Sequence, residues 1–209
     1  MRHIHTLMTA PNKLGLAVIL GFWALISLAA IAASDELRAE GHQLEEDTLE
    51  HQVADARAYI EAFAARTPNW PPSRRIHRQA PQLAELLVTV ARRYGLPYRA
   101  LVVTARAESG FRLGVRGKRD KGDHGLLQVN LRHWGSLVED LDLGTAEGQV
   151  EAGARVLREG LDACGDVEGA MAYYCVGSCK VAAGHRKASN VRHRIRALTR
   201  WGRRGTKAG

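Results

Sequence analysis

Glu108 is the residue with the clearest capacity for chemistry in this sequence. It follows Leu101 by seven positions and Ala105 by three, so on a helix it shares their apolar side. A carboxylate facing a core loses water, which raises its pKa. Gly110 marks a helix end just beyond it, where the helix dipole also disfavours negative charge. Both influences suit a group that holds a proton near neutral pH and gives it to a leaving oxygen, as glycoside cleavage requires. The position is open to a structural use as well, as a buried glutamate satisfied by arginine or by backbone donors. On position alone, the structural use is favoured.

The neighbouring residues reverse that preference. Glu108-Ser109-Gly110-Phe111 is followed by Gly125-Leu126-Leu127-Gln128-Val129-Asn130 and then by Ala172-Tyr173-Tyr174-Cys175-Val176-Gly177. In order and spacing these resemble the Glu-Ser-x-Phe, Gly-Leu-Met-Gln-Ile/Val-x and Ala-Tyr-Asn-Ala-Gly motifs of the soluble lytic transglycosylase (SLT) family, the bacterial relatives of goose-type lysozyme. The resemblance covers residues 81–181, and its specificity lies in the ordered triplet. It implies a mainly α, lysozyme-like domain that cuts peptidoglycan. Carried over by position, it makes Glu108 the single catalytic acid/base. Gln128 lines the groove and bonds substrate, Asn130 faces the cleft, and a tyrosine hydroxyl lies near the catalytic carboxyl. That tyrosine is Tyr174 when Gly177 is kept in register, the preferred fit, and Tyr173 in the alternative. Ser109, from the first motif, completes the candidate substrate contacts.

The chain departs from the family in two places. The family's loop serine is missing from the charged stretch Arg116–His124, where Asp123 or His124 could substitute, and Cys175 stands at the motif asparagine. A hydrolase needs a second carboxyl across the scissile bond, and Asp120 and Asp123 are the candidates nearby. With one strong acid, substrate-assisted chemistry is more natural. Glu108 would protonate the oxygen between MurNAc and GlcNAc, the MurNAc acetamide would stabilise the sugar carbon, and a 1,6-anhydro ring would close. No metal or organic cofactor is required. A lysozyme-type hydrolase and a non-catalytic peptidoglycan-binding subunit are the competing readings.

The elements that must position these residues follow from patterning. Leu14–Ala33 is uncharged and long enough to span a bilayer, and Arg2 and Lys13 before it place the N-terminus (1–13) in the cytoplasm. This predicts a single-pass inner-membrane anchor over 14–33 with the remainder in the periplasm. The alternative is a signal peptide cut near Ala30-Ile31-Ala32, leaving a secreted or periplasmic protein. Residues 34–73 read as a helical spacer, with Leu37, Leu44, His51, Ala58 and Ala65 at heptad positions, ending at the breaker Pro68-Asn69-Trp70-Pro71-Pro72-Ser73. The catalytic domain is placed at 74–185, its first helix starting near Pro81 and stopping at Gly95, its second opening at Pro97. Helices are expected around 133–138 and 147–161, with a buried stretch at 167–174. No strand pattern is visible. Residues 186–209 read as a basic tail with a thin stripe of Ile195, Leu198 and Trp201, either adhering to an anionic surface or forming a final helix with a solvated basic face.

A net charge of +8 and a pI near 9.8 suit a polyanionic partner. Nucleic acid is disfavoured, because no recognition motif is present and the domain is exported. The partners expected are peptidoglycan glycan strands, the inner membrane through the N-terminal helix, and an envelope-spanning secretion or conjugation apparatus. Cys164, Cys175 and Cys179 predict one disulfide and one remaining thiol. A metal site is disfavoured, since His185 alone does not complete a tetrahedral set with Cys175 and Cys179.

Overall fold

The computed structural model describes residues 49–117, 122–182 and 184–205, with side chains as far as Trp201. Residues 49–66 form helix α1. Then come α2 (Ser73–Arg93), α3 (Tyr98–Ser109), a small hairpin of β1 (Asp123–His124) and β2 (Val129–Asn130), α4 (Leu131–Val138), α5 (Ala146–Cys164), α6 (Val167–Val176) and α7 (Ala188–Gly205). The domain is mainly helical. The two strands pair antiparallel, Asp123 opposite Asn130 and His124 opposite Val129.

α3 is the innermost element. Ala100, Leu101, Val102, Val103, Thr104 and Ala105 are all buried, so it is enclosed on every side rather than along one stripe. α2 and α7 pack against it, and it also touches α5 and α6. α5 is backed by α6, α2 and α4. Its N-cap Thr145 accepts from the Gly148 amide, and Glu147 in the first turn complements the helix dipole. Asp166 caps α6 in the same way, through the Gly169 amide. Cys164, the last residue of α5, is joined by a disulfide to Cys179 beyond α6, and Cys175 is the free, buried cysteine.

Three expectations about organisation change. The spacer does not end at Ser73: from Leu49 onward the described residues belong to one compact unit. The heptad positions His51, Ala58 and Ala65 are exposed, whereas Ala56, Ile60 and Ala64 are buried. A run of one isoleucine and two alanines is a weak stripe in sequence, but burying Ile60 alone contributes roughly 1.5–3 kcal/mol. The second change is at Pro81, which lies inside α2 rather than at its start. Its interior cost, about 3 kcal/mol, is offset by burial of Ile76 and Ala80 on the turn before it.

The third change concerns the basic tail, which is a packed helix. Val191, Arg194 and Trp201 of α7 are buried. Trp201 stacks on Tyr59 of α1 at 4.0 Å and meets Tyr98 of α3 edge-on at 5.9 Å. Its indole donates to Asp55, which also accepts from the Tyr98 hydroxyl and from Arg99. One carboxylate thus ties α1, α3 and α7 together. Among the described residues no helix is long and apolar enough to cross a membrane; Leu14–Ala33 lies outside them, as do Leu37, Leu44 and Asp120.

Candidate active site

α3 ends abruptly just past Glu108. Gly110 and Phe111 both take positive φ, 61° and 63°, and the turn drops the Phe111 ring into the core against Phe63. A phenylalanine in the left-handed region is strained, and full burial of its ring offsets that cost. The sharp turn leaves Glu108 on the last turn of a buried helix with its side chain 22% exposed.

The loop opposite is built from Gly125-Leu126-Leu127-Gln128. Leu126 and Leu127 are fully buried and pin it to the core. Gln149 of α5, itself buried, accepts from the amides of Gly114 and Leu126 at 3.1 and 3.0 Å and donates to the Leu143 carbonyl. Leu127 lies so close to Gly153 of α5 that a Cβ there would meet its side chain at 2.3 Å. Gln128 has φ 49°, and its amide nitrogen donates to the carbonyls of Val115 and Gly125, both at 2.8 Å.

These elements enclose a cleft of about 270 Å³ lined by Glu108, Asp123, Gln128, Asn130, Trp134, Tyr174, Cys175, Lys187, Asn190 and Arg194. A hollow of about 320 Å³ shares Asn130, Trp134, Tyr174, Cys175 and Lys187 with it and continues past His133, His185 and Arg186. The two form one groove, a shape suited to a polymer rather than a small molecule. A separate hollow between α1 and α7 contains one carboxylate, Asp55, whose two oxygens are already engaged.

The sequence candidates therefore divide. Glu108, Gln128, Asn130 and Tyr174 come together. Ser109 does not: it is buried, donates to the Ala105 carbonyl and accepts from the Arg112 amide, so it serves the helix end. Tyr173 packs on Trp134 at 5.7 Å and does not line the cleft. His124 pairs in the hairpin and is likewise outside it. Asp123 does line it, its Oδ1 accepting from the Asn130 amide at 2.8 Å. The Asn130 carbonyl oxygen caps α4 through the Arg132 amide, so both ends of that side chain also serve the fold.

Two groups define the carboxyl's surroundings. First, the Tyr174 hydroxyl donates to the Leu127 carbonyl at 2.7 Å, close enough to Glu108 to feel its charge. Burial, and then the charge of Glu108, push this phenol well above its ordinary pKa, so it stays a neutral donor. Second, Glu108 is not surrounded by apolar groups alone. Arg194 of α7 donates to its Oε1 at 2.7 Å and is 1% exposed. The arginine partner left open by the sequence is therefore present, and it lies within the cleft rather than in place of one. Cys175, at the motif asparagine, is buried, and that burial raises its thiol. Beside it Lys187 donates to the Cys175 carbonyl. Among the described residues no group of three or more His, Cys, Asp or Glu is placed to hold a metal ion.

Arg194, Lys187, Asn190 and Trp134 escaped the sequence reading. A signal for Arg194 did exist. It sits three residues after Val191 and four before Leu198, on the apolar stripe of α7, where a lone arginine is conspicuous because arginine is rarely buried without a partner.

Comparison with known families gives one match. The sequence model described as "Transglycosylase SLT domain" matches residues 85–195, a span that contains every cleft residue named above. No curated protein and no solved structure matches the chain.

Proposed function

The chain belongs to the transglycosylase SLT domain family, and from that premise we propose that it is a peptidoglycan lytic transglycosylase. It cleaves the β-1,4 bond between MurNAc and GlcNAc and leaves 1,6-anhydro-MurNAc ends. The observation that carries the reading is the convergence of Glu108, Gln128, Asn130 and Tyr174, from four separate elements, on one groove. Glu108 is the acid and then the base. Its Oε1 is taken by Arg194, and among the described residues its Oε2 has no hydrogen-bond partner, which leaves an oxygen for proton transfer. The proton passes from Oε2 to the glycosidic oxygen as the bond to the MurNAc anomeric carbon breaks. The substrate's acetamide holds the resulting positive charge. Oε2 then takes the C6 hydroxyl proton as that oxygen closes the ring. General acid–base help of this kind is worth roughly 10²–10⁴-fold. The groove supplies binding and sugar distortion for the remainder.

One observation favours a second reading, a lysozyme-type hydrolase. Asp123 lines the same cleft and could activate a water across the bond. The products separate the two: anhydro ends mark a lyase, reducing ends a hydrolase. We further propose that Leu14–Ala33 tethers the enzyme to the inner membrane, with the domain in the periplasm. There it would open the wall locally, in the service of an envelope-spanning secretion or conjugation apparatus.

The test is a zymogram on purified sacculi with full-length protein, followed by mass spectrometry of the released muropeptides. Wild type clears the substrate and Glu108→Gln does not. Equal clearing by both removes Glu108 from the mechanism, and absence of clearing by wild type favours a binding subunit.

A further inference from the structure

Arg194 is costly where it lies. Its side chain is 1% exposed on the apolar stripe of α7, and taking a guanidinium out of water is rarely repaid by a single carboxylate. Its bonding is incomplete as well. Nη2 reaches Glu108 Oε1 at 2.7 Å and Nε reaches Asn190 Oδ1 at 3.3 Å, but Nη1 is buried with no hydrogen-bond partner. Replacing such a pair as a whole by apolar groups is often no worse for stability, so the pair calls for another explanation.

Glu108 needs something that Arg194 supplies. It stands on the last turn of α3 with its side chain partly exposed to the cleft, and one oxygen must deliver a proton and recover another without moving away. The remaining cleft donors are engaged elsewhere: Tyr174 bonds the Leu127 carbonyl and Lys187 the Cys175 carbonyl. Among the described residues, Arg194 is the side chain that donates to Glu108. We infer that Arg194 is the positioning residue of this site: it clamps Oε1 of Glu108, so that Oε2 is the atom that both delivers and retrieves the proton. This rests on the assignment of Glu108 as acid/base, and it makes α7 a component of the active site.

The experiment compares full-length wild type, Arg194→Met, Arg194→Lys and Glu108→Gln on soluble glycan strands, with thermal melting of each. Arg194→Met is expected to lower kcat about 10²-fold, the scale of a misplaced reacting group. Its KM should stay within about twofold, because ground-state binding is untouched. Its melting temperature is measured alongside, because the Glu108 carboxylate left without its partner costs stability, and kcat is read where every variant is folded. Arg194→Lys keeps the charge and recovers part of kcat. Wild-type kcat in Arg194→Met overturns the inference, as does a loss that follows the melting temperature and that lysine does not relieve. If Arg194→Met does not fold, Arg194→Lys alone decides: a reduced kcat at unchanged KM supports the clamp, and an unchanged kcat overturns it. An inactive Glu108→Gln beside a fully active Arg194→Met defeats the clamp alone. An active Glu108→Gln defeats the assignment beneath it.

Discussion

Gly125 occupies a conformation and a space that a side chain cannot share. Its φ is 74°, and a Cβ there would lie 2.6 Å from the Gln149 side chain. Displacing Gln149 frees the Gly114 and Leu126 amides that it holds. Gly125→Ala should therefore cost about 2–4 kcal/mol, from strain at positive φ and lost buried hydrogen bonds. Activity should fall with it, because Gln128 is set by the same loop. Denaturant unfolding checks the first and the zymogram the second; a variant as stable as wild type would show that Gln149 does not hold the loop. At this scale the sequence was legible wherever the site is local. Glu108, Gln128, Asn130 and Tyr174 each sit inside a short motif that resembles the family's, and the four line one cleft. The pairing of Arg194 with Glu108 was not legible, because the two are 86 residues apart and only packing joins them. Ser109 misled for the opposite reason: a motif residue was spent on ending the helix.

Among the elements, α3 and α5 were readable from their apolar positions, and for α3 from the glycine that stops it, whereas α6 was foreseen only as a buried stretch. α1 was foreseen as helical and α7 carried a stripe at helical spacing, but the packing of neither was legible. Both are rich in charge, and what buries them is a partner that the sequence does not print next to them. Trp201 is that partner's clearest expression, closing α7 onto Tyr59, Tyr98 and Asp55. Trp201→Ala should destabilise the domain by roughly 3–5 kcal/mol, the usual range for a buried aromatic. It should also lower activity, although Trp201 does not line the cleft, because α7 carries Arg194. Calorimetry and zymography on the same sample would test this, and unchanged values for both would mean that α7 docks without its tryptophan.

At the scale of the whole domain, the junction of α1, α3 and α7 makes stability depend on pH. Burial alone would raise the Asp55 carboxyl, but hydrogen bonds from Tyr98, Trp201 and Arg99 outweigh it and hold the group below its ordinary 3.8. A carboxyl lowered in the folded state contributes stability that is fully present above 3.8 and lost as pH falls through the lower folded value. Tyr98 is pushed up to about 12, by burial first and then by Asp55. Its contribution is fully present below the unfolded value of 10.0 and lost as pH rises toward about 12. Asp55→Asn should thus be less stable than wild type by roughly 1–3 kcal/mol at neutral pH, with the gap closing below pH 3.8. Urea titrations across pH would show it, and a gap that did not depend on pH would remove Asp55 from the acid limb.

The family match begins at residue 85, within α2, and stops at residue 195, within α7. Anyone excising or grafting the domain by those limits would saw through two helices, discard Trp201 and the whole of α1, and strip the cover from Ile60's neighbours in the core. A portable unit has to keep the described residues from Leu49 through the end of α7 at Gly205, so that Ile60 and Trp201 stay with their partners.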